Sequence, residues 1–252
     1  MNDRIGRIAL AIAAHLALLL AWYLFVKLGN VPRFVMPSPG ATLDALLQPN
    51  YDWWSNIAVT GTEIFAGYFL ALVVGVALAL AFSWSKMLES FFMPLLVSLN
   101  MIPKVALGPL IIVWFKYGVF PNSLMAFSIC VFPILLTTAR GLREVEPELL
   151  DLVNALKGSR WQLFTKIQLP GALPYIFSGM KVAAILAVAG AIVGEFLGSD
   201  KGLGYLMLQV QVTLDTPAMF MAVILITLIG MLLYGLVLGL EKLLVVKDAR
   251  VG

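Results

Sequence analysis

The chain has 252 residues, of which 61% are hydrophobic and 12% are charged, whereas about 25% of the residues in an ordinary soluble domain are charged. This deficit of charge excludes a soluble globular protein. The net charge is +3, but the 17 Lys and Arg residues are dispersed along the chain, which argues against a nucleic-acid-binding patch. The single cysteine, Cys130, permits neither an intramolecular disulfide nor a cysteine metal cluster.

Apolar segments predict an all-α membrane protein with six transmembrane helices, since one crossing takes about 20 apolar residues. The first segment follows Arg4 and Arg7 and meets Lys27 without a convincing cleavage site, so we expect a retained span and not a signal peptide. The predicted spans cover about residues 8–27, 63–85, 90–116, 118–139, 174–197 and 216–240. They leave no room for a separate soluble domain, so residues 1–252 are predicted to form a single transmembrane domain.

The third predicted span is interrupted by Pro94, Pro103 and Pro109. Proline removes a backbone donor and bends or breaks a helix, so we expect a broken or kinked span. Ionisable groups inside a span are costly and are therefore functional candidates, which selects Lys104 in this span and Glu195 in the fifth. Residues that we consider candidates for lining a transport pathway are Asn100, Met101, Pro103, Lys104, Gly194 and Glu195.

Each ionisable candidate also has a purely structural interpretation. Lys104 could snorkel or find a partner at the helix break. Glu195 lies near a helix end, where water or the backbone donors of Gly202, Leu203 and Gly204 could satisfy it.

The distribution of basic residues predicts the orientation in the membrane. Eleven Lys and Arg residues lie in segments on the side of the N-terminus, four lie on the other side, and Lys104 and Lys181 fall inside spans. Because cytoplasmic loops carry an excess of basic residues, we expect both termini in the cytoplasm.

Small residues recur at four-residue spacing in three of the predicted spans. Such ridges let helix backbones approach closely in lipid. They predict a compact bundle, with a seam between two copies of the chain as the alternative for any one ridge. The ridges comprise Gly67, Ala71, Gly75 and Ala79; Gly190, Gly194 and Gly198; and Gly235 and Gly239.

The segment of about residues 140–173, between the fourth and fifth spans, predicts two short helices. Pro147 suits a first helical turn, and Gly158 follows as a turn residue. Ser159 with Gln162 forms a capping-box pattern for a second helix, which we expect Pro170 to stop. Helices this short need a docking partner. That partner is either the membrane end of the same chain or the groove of a cytoplasmic protein.

Within this segment, the sequence resembles the cytoplasmic EAA loop of inner-membrane permease subunits of binding-protein-dependent ABC importers. In that family, Glu-Ala-Ala is followed after three residues by Gly, and after nine more by Ile-x-Leu-Pro. Here Ile167, Leu169 and Pro170 match, Asp151-Leu152-Val153 replaces Glu-Ala-Ala, and Lys157 occupies the glycine position.

Further matches extend the resemblance over most of the chain. They are Pro37-Ser38-Pro39, Ile102-Pro103-Lys104 and Gly202-Leu203-Gly204-Tyr205. Together they look most like the branch that handles nitrate, taurine, alkanesulfonates, bicarbonate and thiamine-precursor pyrimidines. The resemblance therefore implies a type I ABC importer permease that carries a small anion, a sulfonate or a pyrimidine-like nutrient.

The resemblance also implies the partners. They are a second permease subunit, expected as a homodimer, two cytoplasmic ATPases, an external substrate-binding protein and the lipid bilayer of the bacterial inner membrane. The sequence holds no Gly-Lys dipeptide and so lacks the phosphate-binding loop. We therefore expect no enzymatic activity, catalytic residue, metal site or bound cofactor in this chain, with ATP and Mg on the partner ATPase.

The predicted pair of helices would be the coupling helices that receive the ATPase. Trp161 and Phe164 are the expected apolar anchors, and Arg160 and Asp151 would orient the contact. The full set of expected coupling residues is Glu148, Asp151, Leu152, Val153, Gly158, Ser159, Arg160, Trp161, Phe164, Ile167, Leu169 and Pro170.

A secondary transporter, or another membrane-embedded transport subunit, is the alternative function. Secondary transporters also use broken helices at their binding sites, but they often contain internal repeats. The sequence shows no convincing repeat.

Overall fold

A computed structural model describes residues 2–145 and 147–245, and every regular element in these ranges is helical. Five helices are long: α1 (Asn2–Leu28), α3 (Trp53–Trp84), α6 (Val119–Gly141), α9 (Leu169–Gly198) and α11 (Thr216–Leu244). Six are shorter: α2 (Pro39–Asp44), α4 (Lys86–Met101), α5 (Lys104–Phe115), α7 (Pro147–Ala155), α8 (Arg160–Leu163) and α10 (Leu203–Val212). A π-helical turn, Phe164–Gln168, joins α8 to α9.

Within the described ranges, four helical segments are long and apolar enough to cross a membrane. They contain α3, α6, α8 with α9, and α11, and the bent pair of α4 and α5 would make a fifth. The predicted first span falls on α1, whose apolar part, Ile12–Leu28, is shorter than these four. The chain is thus an all-helical membrane protein, and the count of six spans stays a prediction.

The predicted break in the third span lies at Pro103. The axes of α4 and α5 differ in direction by 87° across this break. Pro94 and Pro109 lie inside α4 and α5, respectively, and neither ends its helix. Of the three prolines expected to interrupt the span, only Pro103 therefore coincides with the break.

The centre of the fold is α6, which packs along α3 on one side and along α9 on the other. A Cβ atom added to Gly67 of α3 would lie 2.6 Å from the Cβ of Ala126 in α6. A Cβ atom added to Gly190 of α9 would lie 2.6 Å from the Cα of the same alanine. These two helices therefore approach the same turn of α6 at backbone contact. The small-residue ridges of the second and fifth spans thus serve packing within the chain.

The ridge of the sixth span behaves differently. Atoms added at Gly235 and Gly239 of α11 would meet nothing within 4 Å. Instead, α11 is joined to α9 by an ion pair between Lys181 Nζ and Glu241 Oε1 at 3.1 Å. This pairing accounts for a lysine inside the fifth span, because an intramembrane charge is stabilised by a buried partner.

The difference between these glycines predicts a difference in tolerance to alanine. Gly190→Ala forces its methyl group into the α6 backbone and should destabilise the protein by about 1–3 kcal/mol. Gly239→Ala adds the same atom in open space and should change stability by about 0.5 kcal/mol or less. Thermal unfolding of the two variants in detergent measures the difference, and equal melting temperatures would contradict close packing at Gly190.

Candidate functional site

The turn between α7 and α8 ends α7 in a Schellman motif. Lys157 has a left-handed backbone with φ of 52°, and the Gly158 N–H donates to the Val153 carbonyl at 2.8 Å. This arrangement places the left-handed residue directly after the helix, a position that favours glycine. Lys157, and not Gly158, therefore takes the left-handed conformation of the turn.

Gly158 is required for a different reason. A Cβ atom at this position would lie 2.8 Å from Cγ1 of Val153 and 3.3 Å from its carbonyl oxygen. The turn thus passes directly over the last turn of α7, where only glycine fits without displacing Val153.

The predicted capping box at the start of α8 is confirmed. The Gln162 N–H donates to Ser159 Oγ at 3.2 Å, and the Ser159 N–H donates to Gln162 Oε1 at 2.7 Å. These two bonds satisfy donors that would otherwise be left without partners at the helix end. They fix the direction in which α8 leaves the turn.

The expectation that Pro170 stops the second loop helix is wrong. The helix continues from α8 through the π-helical turn into α9, and Pro170 lies in the first turn of α9. In the π-helical turn the Leu169 N–H bonds to the Phe164 carbonyl, five residues back. Because Pro170 follows this register change, its missing N–H costs little, and α8 becomes the tip of the long α9 helix.

Aromatic side chains attach this tip to the end of α3. The ring of Trp84 lies edge-on to Phe164 at 5.6 Å and to Trp161 at 6.2 Å between centroids. Phe164 is 8% exposed and belongs to the main hydrophobic core, whereas Trp161 is 61% exposed. Of the two expected anchors, Phe164 is therefore committed to its own chain, and Trp161 is available to a partner.

A groove of about 500 Å³ lies at the same end of the molecule, between α3 and the tip of α9. Its lining is partly apolar and carries one cationic side chain. The lining residues are Ser83, Trp84, Arg160, Trp161, Leu163, Phe164 and Gln168.

Most of the other residues expected to couple to an ATPase lie at the surface of this loop. Leu152 is 52% exposed, and the side chains of Val153, Ile167 and Leu169 are half-buried. The remaining members of the set are exposed: Glu148, Asp151, Gly158, Ser159, Arg160 and Pro170. The exposed side chains of the loop thus offer polar and apolar surface to a partner.

A second group of polar residues lies at the opposite end of α9. Glu195 is 1% exposed, and its Oε1 accepts a hydrogen bond from Thr60 of α3 at 2.5 Å. Its Oε2 accepts from the backbone N–H groups of Gly204 and Tyr205. The structural interpretation of Glu195 thus agrees with the geometry, because backbone donors of the loop after α9 bind this carboxyl group.

The same group includes residues that the sequence analysis did not select. Glu63 of α3 is fully buried one helical turn after Thr60, the residue that donates to Glu195, and Asn122 of α6 donates to Glu63 Oε1 at 2.8 Å. Glu63 and Asn122 each lie near the end of an apolar segment, and a polar residue in that position is the sequence signal that could have identified them. We call Thr60, Glu63, Asn122 and Glu195 the carboxyl cluster.

The structure divides the pathway candidates between two places. Gly194 is buried against Asn122 beside Glu195, whereas the other four lie at or beside the break between α4 and α5. At the break, Met101 is 77% exposed, and Lys104 Nζ donates to the Leu99 carbonyl at 3.1 Å. Asn100 is half-buried and Pro103 is exposed. Lys104 thus donates to a carbonyl group at the end of α4, as its structural interpretation expects.

The central helices, the loop and α11 all fall in a region that matches a family model. Residues 67–245 match the family described as binding-protein-dependent transport system inner membrane component. The chain belongs to this family of ABC importer permeases. Its other features, the proline-broken span and the loop between α6 and α9, are therefore those of a permease subunit.

Curated relatives support the same assignment over nearly the whole permease. A probable ABC transporter permease protein of Haemophilus influenzae is 35% identical, covering 86% of this chain and 89% of the relative. The riboflavin transport system permease protein RibX of Chloroflexus aurantiacus is also 35% identical, covering 96% of this chain and 91% of the relative. The formylaminopyrimidine transport permease protein ThiX of Halalkalibacterium halodurans is 29% identical, covering 91% of this chain and 92% of the relative.

A solved structure shows that the fold is shared as well. Inward-facing MetNI, a methionine ABC transporter, contains a chain with a TM-score of 0.52 and 22% sequence identity. The match covers 74% of this permease and 93% of that chain. The permease thus has the fold of a type I ABC importer permease.

The left-handed turn at Lys157 makes a testable prediction. Lys157→Gly removes the steric cost of the left-handed conformation and should stabilise the turn by about 1 kcal/mol. Lys157→Ala removes the charge but keeps Cβ, so it should give no such gain. Hydrogen exchange of the α7 amides reads out the effect, and equal protection in the glycine and alanine variants would contradict the assigned turn.

Proposed function

We propose that this permease forms the membrane pathway of an ATP-driven importer and receives a separate cytoplasmic ATPase on the loop between α6 and α9. The observation that carries the proposal is the continuous helix from α8 through the π-helical turn to Gly198. One end of this helix bears the exposed Trp161, and the other bears the carboxyl cluster. A displacement of the loop by a partner would therefore reach the opposite end of the membrane domain along a single element.

The anchoring of the loop supports this transmission. The Phe164 side chain is buried in the core and packs on Trp84, so α8 is held by α3 as well as by α9. Arg143, at the start of the loop, pairs with Glu89 of α4. These contacts attach the loop to three of the helices that would surround a pathway.

The proposed assembly contains two permeases, two ATPases and an external binding protein. The family description supports the binding protein, since it names a binding-protein-dependent system. We propose a homodimer of this chain, with both termini and the loop in the cytoplasm, as the excess of basic residues on that side favours. ATP and Mg would bind the ATPase, since the sequence lacks a Gly-Lys phosphate-binding loop.

The proposed substrate belongs to the classes expected from the sequence: a small anion, a sulfonate or a pyrimidine-like nutrient. Two relatives, with 35% and 29% identity, are named for riboflavin and formylaminopyrimidine transport. Those named for aliphatic sulfonate, bicarbonate and taurine transport have 24–27% identity. This order favours a nitrogen heterocycle, and a ligand screen on the copurifying binding protein separates the classes.

Truncation of Trp161 tests whether the loop receives the ATPase. Because this side chain is 61% exposed and its ring packs edge-on to Trp84, Trp161→Ala should leave membrane insertion intact and lower stability by only about 1 kcal/mol. Loss of a large aromatic anchor from an interface costs roughly 2 kcal/mol, so affinity for the ATPase should fall about thirtyfold. Copurification of the complex and stimulated ATP hydrolysis measure the effect.

Two variants complete this experiment. Trp54→Ala removes a more exposed indole, 83% exposed, at the opposite end of the domain and should not change ATPase binding. Gly158→Val should disrupt the turn and weaken binding without touching Trp161. Normal coupled transport in both Trp161→Ala and Gly158→Val would refute the proposed coupling site.

A further inference from the structure

The carboxyl cluster brings two acidic side chains into contact at the end of α9 opposite the loop. Glu63 is 0% exposed and Glu195 is 1% exposed. Thr60, one helical turn before Glu63, donates to Glu195 Oε1, and the Asn122 side chain that donates to Glu63 packs against Gly194, so the two carboxyl groups are neighbours. An ionised carboxylate can only accept hydrogen bonds. Two ionised carboxylates in this position would therefore repel each other in a site where water provides little screening.

The hydrogen bonds within the cluster leave one acceptor without a donor. Thr60 and two backbone N–H groups donate to Glu195, and Asn122 donates to Glu63 Oε1. Glu63 Oε2 is buried and has no hydrogen-bond partner among the described residues. A buried carboxyl oxygen that faces a second carboxyl group requires a proton or a cation.

The surrounding charges do not neutralise the pair. Besides Glu195, the charged side chain that acts on Glu63 in the described part of the chain is Asp200, which is also acidic. From α3 and α6 the neighbours are the neutral Thr60 and Asn122. An additional negative charge nearby strengthens the requirement for a bound positive charge.

The surroundings of the pair favour a proton over a metal ion. Cβ atoms added at Gly202 and Gly204 would lie 2.4 Å and 2.8 Å from atoms of the Glu195 carboxyl group. Gly202 has a left-handed φ of 111°, and its N–H donates to Asn56 Oδ1 at 2.7 Å. The loop backbone therefore lies directly on the Glu195 carboxyl group, and the described residues contain no group of three or more His, Cys, Asp or Glu side chains that could hold a metal ion.

We propose that Glu63 and Glu195 form a proton-binding site that holds α3, α9 and the start of α10 together. One proton from solvent is bound between the two groups: Glu63 Oε2 carries it as O–H and donates to the Glu195 carboxylate. Release of that proton returns it to solvent and leaves two negative charges in contact. The end of the membrane domain opposite the loop is then stable at low pH and weakened as pH rises.

This proposal goes beyond transport, and its tests need neither the ATPase nor a substrate. Infrared difference spectroscopy of the full-length permease detects the carbonyl stretch of a protonated carboxylic acid, which shifts on exchange into D2O. We expect this band at neutral pH in the wild type and its loss in Glu63→Gln, where the amide supplies the donor. Asp44→Asn, which alters an exposed carboxylate on α2, should retain the band and serves as the matched control.

The pH dependence of stability provides a second readout. The folded protein would keep a proton that an exposed carboxyl group releases above about pH 4.3, so unfolding becomes more favourable by up to about tenfold per pH unit as pH rises. Glu63→Gln should remove this contribution, so that its melting temperature falls less than that of the wild type between about pH 6 and about pH 8. Glu195→Gln should act in the same direction, since either amide replaces the shared proton.

Three results would overturn the proposal. The first is a wild-type spectrum without the acid band at neutral pH. The second is a pH dependence of stability that is unchanged in both glutamine variants. The third is stabilisation by sodium, potassium or magnesium chloride at constant pH and ionic strength that is lost in Glu63→Gln, because it would show that the site binds a metal cation.

Discussion

The close approach of α6 to both α3 and α9 is the constraint on which the remaining structure depends. In lipid, apolar side chains gain little free energy by leaving one apolar environment for another, so helices associate where their backbones can touch. Gly67 and Gly190 allow this contact on opposite sides of Ala126. The three helices therefore form a unit whose members have little freedom to slide past one another.

Both candidate sites are attached to this three-helix unit. At one end, α9 extends through the π-helical turn into α8, and Phe164 fixes that tip to α3. At the other end, Asn122 of α6 reaches Glu63, while Glu195 of α9 binds the loop that leads into α10. The proposed coupling surface and the buried carboxyl pair thus lie at the two ends of the same packed helices.

Features that depend on neighbouring residues were accessible from the sequence. The capping box at Ser159 and Gln162, the break at Pro103 and the small-residue ridges follow from local hydrogen bonding and helix periodicity. The left-handed conformation of Lys157 was not predicted, because glycine is the more usual residue in that conformation. The continuation of the helix past Pro170 was missed because a π-helical turn has no clear sequence pattern.

Features that depend on tertiary packing could not be predicted. Glu63 and Glu195 are far apart in the sequence, and only the packing of α3 and α9 around α6 brings their carboxyl groups together. The inward orientation of Phe164 likewise depends on Trp84, which lies at the far end of another span. The family resemblance predicted a coupling loop but could not assign which of its aromatic side chains is exposed.

The central claim is that the loop tip and the carboxyl cluster move as one element during transport. Its most direct test is an intramolecular distance in the assembled importer, between spin labels at the exposed positions 166 and 209, with each labelled permease paired with an unlabelled copy. The account predicts that this distance stays the same in the nucleotide-free and ATP-bound states, while distances between the two permeases change. A change in the intramolecular distance on ATP binding would show that the π-helical turn bends, and would contradict the account.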